Sequence, residues 1–303
     1  MKRIAFPCLC LLLLAVTSCQ REAAVRSALA RAEAVMEENP REARQILDSI
    51  IVSRKIVISE EIIPKQSSEE HSSTHYSLIT NHSKSDLALW AMLKTQADYK
   101  CFVPLRSDSL ARIATDYYGT PRRKNYHAAM AWYTLGCVYT ETQDDPKAIS
   151  AYLKARDCFP DTTSRYYSLT LQNLGRHYLK RNMLEEAFAS FTRFRDASEA
   201  IGDSASVAFA RYFLGFTRLL QFDYEAADSL FDLSLGDSAL PEFYHNEVLL
   251  HKAKIAFYSR DDHPQAFSYL RACHKEIPSD SLFAAGFCLM GDIFASENRL
   301  DSA

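Results

Sequence analysis

Residues Met130–Pro160 of the 303-residue chain read MAWYTLGCVYTETQDDPKAISAYLKARDCFP, and this stretch decides the fold. A spacing of i, i+3, i+4 and i+7 predicts one helical face, formed by Trp132, Leu135, Gly136 and Tyr139. A second helical face follows, formed by Ala148, Tyr152 and Ala155. Between the two faces, Asp145 and Pro146 are typical of a helix N-cap and a first-turn proline, and Pro160 ends the second helix. The stretch therefore predicts a helical hairpin.

The spacing of large and small residues in this hairpin is also that of a known family. With Trp132 counted as position 4, the residues at positions 4, 7, 8, 11, 20, 24, 27 and 32 are Trp132, Leu135, Gly136, Tyr139, Ala148, Tyr152, Ala155 and Pro160. All eight match the signature, so the hairpin resembles a tetratricopeptide repeat (TPR). Gly136 and Ala148 lack bulk where the helices approach most closely, and the tyrosines fill the space beside that contact.

The same pattern recurs towards the C-terminus. The position-8 glycine is repeated as Gly175, Gly215 and Gly291, with steps of 39 residues from Gly136 to Gly175 and 40 from there to Gly215. One hairpin departs from the pattern because Lys254 stands where glycine is expected, and we expect looser helix packing there. Ala303 is position 20 of the last repeat, which is therefore truncated. We expect either that this sequence is part of a longer protein or that a partner covers this end.

The resemblance implies an all-α fold, a right-handed superhelical solenoid of antiparallel helical hairpins over residues 86–303. Residues 19–50 resemble a degenerate N-terminal hairpin, in which Asn39 and Pro40 open the second helix. Residues 51–85 are predicted to be a polar, partly disordered insertion. Within that insertion, Gln66–Ser85 contains seven serines and three histidines and few apolar residues.

The N-terminus has the pattern of a secretory signal. Lys2 and Arg3 precede an apolar run from Ile4 to Val16 that is too short to be a permanent membrane span. The sequence Val16-Thr17-Ser18-Cys19 resembles a lipobox, which implies that residues 1–18 are a lipoprotein signal peptide and that Cys19 is lipidated. By this resemblance the protein is anchored in the inner or outer membrane of the cell envelope and faces the periplasm, with surface exposure left open. The alternatives are a signal cleaved nearby without lipidation and a membrane-anchored start.

Composition narrows the range of partners. The chain has 35 basic and 38 acidic residues, and this mildly acidic net charge does not indicate a nucleic-acid-binding protein. Five cysteines follow Cys19, and they show no metal-type spacing: Cys101, Cys137, Cys158, Cys273 and Cys288. We expect them to be buried free thiols, although an oxidising envelope compartment would permit a disulfide.

No catalytic motif is found. The sequence contains no HExxH, GxSxG, GxxxxGK or GxGxxG pattern, and its histidines are scattered. Acidic pairs such as Glu185-Glu186 cluster near predicted starts of second helices, where they favour the helix dipole. We therefore predict a protein that is not an enzyme and that needs no cofactor or metal.

The TPR resemblance implies a partner-binding groove instead. In this family, positions 2, 5, 9, 12 and 13 of each repeat generally face a concave groove, which holds a protein or peptide. The corresponding candidates are Tyr133, Gln172, Arg176, Lys180, Tyr212 and Phe216. The alternative for each of them is packing against a neighbouring repeat.

These observations predict a non-catalytic scaffold or sensor module of a membrane-anchored envelope lipoprotein. Two alternatives stay open. One is a lipoprotein with helical repeats that binds a nutrient such as a glycan. The other is the extracytoplasmic sensor part of a longer signalling protein, whose output domain lies elsewhere in that protein.

Overall fold

The structure is a computed structural model that describes residues 22–54, 83–119, 124–236, 238–273 and 280–296, without the side chains of residues 51–54 and 280–284. In these residues all regular elements are helices, and the predicted all-α class is confirmed. The predicted signal peptide, Cys19 and residues 55–82 of the predicted insertion lie outside the described residues.

Thirteen helices follow one another in the described residues: α1 (22–35), α2 (Pro40–Arg54), α3 (Lys84–Lys100), α4 (Ser109–Tyr118), α5 (Tyr126–Glu141), α6 (Asp145–Cys158), α7 (Arg165–Lys180), α8 (Leu184–Ala200), α9 (Ser204–Leu220), α10 (Tyr224–Leu235), α11 (Glu242–Lys254), α12 (His263–Cys273) and α13 (Asp280–Ser296). A π-helical turn, Ile255–Ser259, continues α11. The chain divides into an N-terminal unit, Met1–Pro160, and a C-terminal unit, Asp161–Ala303. Each unit is built from consecutive helical hairpins.

The reference hairpin α5–α6 shows how two helices of a pair meet. Its helices are antiparallel, because the Lys154 ammonium lies 4.2 Å from the Trp132 ring at one end and the Lys147 ammonium lies 5.6 Å from the Tyr139 ring at the other. The predicted N-cap at Asp145 was wrong by one residue. The cap is Asp144, whose side chain accepts a hydrogen bond of 3.2 Å from the Lys147 N–H, so that Asp145 is already helical.

The sixth hairpin, α11–α12, corrects the expectation at Lys254. In the hairpins α5–α6, α7–α8 and α9–α10, the N–H of the residue just before the second helix bonds to a carbonyl five residues back, as Asp223 N–H does to Arg218 at 3.0 Å. At this turn the Asp262 N–H reaches six residues back, to Ala256, at 2.9 Å. The π-helical turn therefore inserts one residue, a known way for a helix to absorb an extra residue.

This insertion moves the small-residue position from Lys254 to Ala253. Ala253 is fully buried and shares a core cluster with Ala266 and Leu270 of α12, whereas Lys254 is only half-buried. The packing at this hairpin is therefore closed rather than loose. The π-helical turn thus places Ala253 at repeat position 8, where counting along the sequence had placed Lys254.

The N-terminal hairpin begins its second helix as predicted, with α2 starting at Pro40 and the Asn39 side chain accepting a hydrogen bond of 3.2 Å from the Glu42 N–H. The ends of the predicted insertion differ from the structure, because α2 continues to Arg54 and α3 already begins at Lys84. Ser83 explains the second difference: its hydroxyl caps α3 by accepting a hydrogen bond of 3.2 Å from the Asp86 N–H. In the described residues, no helix is long and apolar enough to cross a membrane.

Candidate partner-binding surface

In the N-terminal unit the candidate is Tyr133 on α5. Its side chain is only 6% exposed, and its ring centroid lies 5.9 Å from that of Tyr152 on α6. Tyr133 therefore packs inside its own hairpin, as the alternative for each candidate allowed, and offers little surface to a partner.

In the C-terminal unit, α7 carries three candidates at intervals of one helical turn. Gln172 is half-buried, while Arg176 and Lys180 are exposed. Arg176 forms no ion pair with any residue that the structure describes. An exposed guanidinium without a carboxylate partner can accept one from another molecule.

The candidates on α9 are a buried tyrosine and a half-buried phenylalanine. Tyr212 is 6% exposed, and the Phe216 ring stacks beside it, with ring centroids 6.3 Å apart and an interplanar angle of 8°. The buried Tyr212 thus packs against Phe216, and Phe216 is the more accessible of the two rings.

Helix α11 completes this surface with residues that the sequence analysis missed. The Tyr244 ring lies 5.0 Å from Tyr212 and 4.5 Å from Phe209, and the His251 ring lies 5.1 Å from Phe216. No sequence signal points to α11, because the one-residue shift to Ala253, which places Glu247 at repeat position 2, is visible only in the structure. Without the shift, the groove positions of this helix cannot be assigned correctly.

Charged side chains of α7 and α11 change the pKa values of two tyrosines, Tyr212 on α9 and Tyr244 on α11. Burial raises the pKa of the Tyr244 phenol, and the positive charge of Arg176 opposes that rise. Burial also raises the pKa of Tyr212, and the negative charge of Glu247 raises it further. Both phenols are therefore neutral hydrogen-bond donors at physiological pH.

His251 lies under this aromatic surface and is only 7% exposed. Its ring stacks on Phe231, with centroids 5.6 Å apart, and its Nε2 is 3.6 Å from the Glu247 carboxylate. Neither ring nitrogen has a hydrogen-bond partner among the described residues. Because both nitrogens are buried, His251 acts as part of the aromatic support rather than as a group that a partner can reach.

We call the set formed by Arg176, Phe209, Tyr212, Phe216, Tyr244, Glu247 and His251 the α7–α9–α11 surface. Of the predicted candidates it brings together Tyr212 and Phe216, whose rings stack. Arg176 is the candidate on α7, with Gln172 and Lys180 one turn away from it on the same helix. In the part of the chain that the structure describes, no group of three or more His, Cys, Asp or Glu side chains could hold a metal ion. The surface offers the half-buried rings of α9 and α11 and the exposed guanidinium of α7.

Comparison with known proteins gives the fold. No protein-family model matches the sequence, and no curated protein matches it either. Among solved structures, PilF of Pseudomonas aeruginosa is similar with a TM-score of 0.57 and 14% identity over 88% of this chain and 97% of that one. BtubC (BKLC) from P. vanneervenii is similar with a TM-score of 0.50 and 12% identity over 92% of this chain and 91% of that one. At these identities the likeness concerns the fold alone, and the fold is TPR-like and all-helical.

Proposed function

We propose that this chain is a non-catalytic scaffold or sensor module that holds a protein or peptide partner on the α7–α9–α11 surface. The observation that carries the proposal is the cluster of rings on α9 and α11, in which the half-buried Phe216 packs on Tyr212 and His251, together with the exposed Arg176 of α7, which has no ion pair among the described residues. Arginine and aromatic side chains are the commonest anchors of protein interfaces. A TPR-like fold, which presents its first helices side by side, is consistent with this role.

A pull-down from cell-envelope extract tests the proposal. The bait is the chain with Arg176→Glu or Phe216→Ser, compared with the unaltered chain and with Arg165→Glu as a matched control on the exposed start of α7. Tyr212 is a poor choice because it is buried, and its truncation would remove packing. We expect specific partners to be lost with the first two variants and kept with the control. The same partners on all four baits would contradict binding at this surface.

We further propose that the module is a lipoprotein of the cell envelope, anchored through Cys19. The support is the charged start, the short apolar run and the lipobox-like sequence that ends at Cys19. Cys19→Ala should move the protein from the membrane fraction to the soluble periplasmic fraction, and metabolic labelling with a radioactive fatty acid should mark only the unaltered chain. Continued membrane retention of Cys19→Ala would point to a different anchor.

A further inference from the structure

We propose that a cleft in the N-terminal unit binds a basic segment of a protein partner, with an arginine or lysine side chain that lies along the ring of Phe102 and pairs with Glu141. This inference goes beyond the proposed function and does not depend on it, because every residue of the cleft belongs to the N-terminal unit. Three observations carry it: the cleft itself, the backbone and exposure of Phe102, and the charge that the cleft leaves unpaired.

The cleft lies where the end of α3 and the loop after it meet the end of α5, and we call it the α3–α5 cleft. Its volume is about 530 Å³, and six residues line it: Tyr99, Lys100, Phe102, Val103, Pro104 and Glu141. This volume is within the range of ligand-binding clefts in proteins. The lining combines aromatic and aliphatic side chains with one carboxylate and one ammonium group.

Phe102 is explained neither by its turn nor by packing. Its φ of 58° is left-handed, and the Val103 N–H bonds to the carbonyl of Asp98 at 2.9 Å, five residues back. Turns with the same hydrogen bond carry Gln143 and Asn182 at the left-handed position, whereas a bulky aromatic residue is strained there. The ring is also 93% exposed, so the core does not compensate for the strain. Strained backbone of this kind marks functional sites, and here it presents an aromatic ring to a second molecule.

The charge that the cleft leaves unpaired is negative. Glu141 is exposed and forms no ion pair or side-chain hydrogen bond with any residue that the structure describes. Lys100 is already engaged, because its Nζ lies 2.9 Å from Oε2 of Glu37. An acidic segment would meet Glu141 as a like charge and would have to compete with Glu37 for Lys100. A basic segment meets neither obstacle, so the cleft discriminates by charge.

The ring and the carboxylate together select arginine or lysine. Both side chains join a cation to a long apolar stem, so that the stem covers Phe102 while the cation reaches Glu141. The chain makes a contact of this type internally, where the guanidinium carbon of Arg218 lies 3.9 Å from the centroid of the Phe188 ring. A small molecule would be largely enclosed by its pocket. Because Phe102 stands almost fully exposed, the occupant is a segment of a polypeptide.

The test is a selection from a library of random linear peptides. The bait is the full-length chain with Cys19→Ala, and parallel selections add Phe102→Asn or Glu141→Gln. Matched controls are Phe222→Asn, which changes the other left-handed phenylalanine, and Glu186→Gln, which changes an exposed glutamate of α8. We expect a group of peptides rich in Arg or Lys that is enriched on the bait and on both controls, and is lost with Phe102→Asn and with Glu141→Gln.

Urea denaturation separates binding from folding. Phe102→Asn should raise the urea midpoint, because asparagine tolerates the left-handed backbone better than phenylalanine. A variant that is at least as stable as the bait and has lost the peptides has lost a contact and not its fold. Loss of the peptides together with a lowered urea midpoint in both Phe102→Asn and Glu141→Gln would contradict a direct role of these side chains.

A selected peptide then permits a double-mutant cycle. Replacing its arginine by citrulline, which keeps the shape and removes the charge, should weaken binding to the bait roughly tenfold and should change little on Glu141→Gln. Equal binding of N-acetyl-arginine amide alone would indicate a small-molecule site and overturn the assignment to a polypeptide. If no enriched peptide depends on Phe102 and Glu141, or if the dependent peptides are neutral or acidic, this inference is wrong, and the proposed function at the α7–α9–α11 surface is unaffected.

Discussion

The backbone of Gly175 in α7 lies against the ring of Phe191 in α8, so closely that a Cβ atom on Gly175 would be 2.5 Å from Cε1 of that ring. The same relationship joins Gly136 to Tyr152 and Gly215 to Phe231. Gly291 in α13 differs, because a Cβ atom there would have no neighbour within 4 Å. The four glycines share a repeat position, and this difference makes them a matched set for experiment.

Gly175→Ala should lower the free energy of unfolding by about 1–3 kcal/mol, because the methyl group overpacks a closed contact. Gly291→Ala should raise it by up to about 1 kcal/mol, since alanine is the better helix former and the position is open. Urea denaturation followed by circular dichroism compares the two variants. Equal effects of the two substitutions would contradict the close contact.

Phe222 occupies a left-handed backbone conformation with φ of 62°, and its ring is 76% exposed. Equivalent turns carry Asn182 at φ of 56° and Asp261 at φ of 55°, residue types that tolerate this conformation. Phe222→Asn should therefore stabilise the protein by about 0.5–1 kcal/mol. Phe243→Asn, an exposed helical control, should not stabilise it. Thermal and urea denaturation measure both, and a clear destabilisation by Phe222→Asn would mean that the ring makes a significant contact.

Lys252 is only 2% exposed and forms ion pairs with two carboxylates of α10, those of Asp228 and Asp232. The distance from its Nζ to Oδ1 of Asp232 is 2.7 Å. Lys252→Met should cost about 3 kcal/mol, because it leaves Asp228 partly buried with only Arg260 as its partner. Lys254→Met, the same change two residues later at a half-buried site, should stay within about 0.5 kcal/mol. Similar losses for both variants would contradict the role of the pair.

The ion pair of Lys252 with Asp228 also predicts that the free energy of unfolding depends on pH. Burial alone would raise the pKa of Asp228, but hydrogen bonds from Lys252 and Arg260 outweigh burial and hold this pKa below its ordinary value. A lowered folded-state pKa contributes stability above the unfolded-state value of about 3.9 and loses it as the pH falls through the folded-state pKa. Stability should therefore fall on acidification below about pH 4. The fall should be smaller in Lys252→Met, and a parallel profile for both proteins would contradict the assignment.

All five cysteines among the described residues are free thiols, but the expected burial holds only for Cys137, Cys158 and Cys273 and was wrong for the half-buried Cys101 and the exposed Cys288. Burial raises the pKa of Cys137 to about 12, whereas Cys288 is exposed on α13. Iodoacetamide at pH 8 should label Cys288 within the folded protein and Cys137 only after denaturation. Mass spectrometry of the tryptic peptides locates the label. Rapid native labelling of Cys137 would contradict its burial.

The sequence by itself determined the helical hairpins and their closest contacts. A helix repeats every 3.6 residues, so the spacing of Gly136, Tyr139 and Tyr152 reports which faces meet without knowledge of any distant part of the chain. The start of α2 at Asn39 and Pro40 was likewise readable, because capping is an interaction between residues only a few positions apart.

Only the tertiary structure decided the register of α11 and the membership of the binding surface. The π-helical turn at Ile255–Ser259 exists where one extra residue must be absorbed so that Ala253, not Lys254, meets α12. The burial of Tyr133 and Tyr212 and the contact of Tyr244 with Phe209 and Tyr212 likewise depend on how helices distant in sequence pack. Local periodicity assigns a residue to a helix face, but packing between helices decides whether that face is covered and which charge lies beside it.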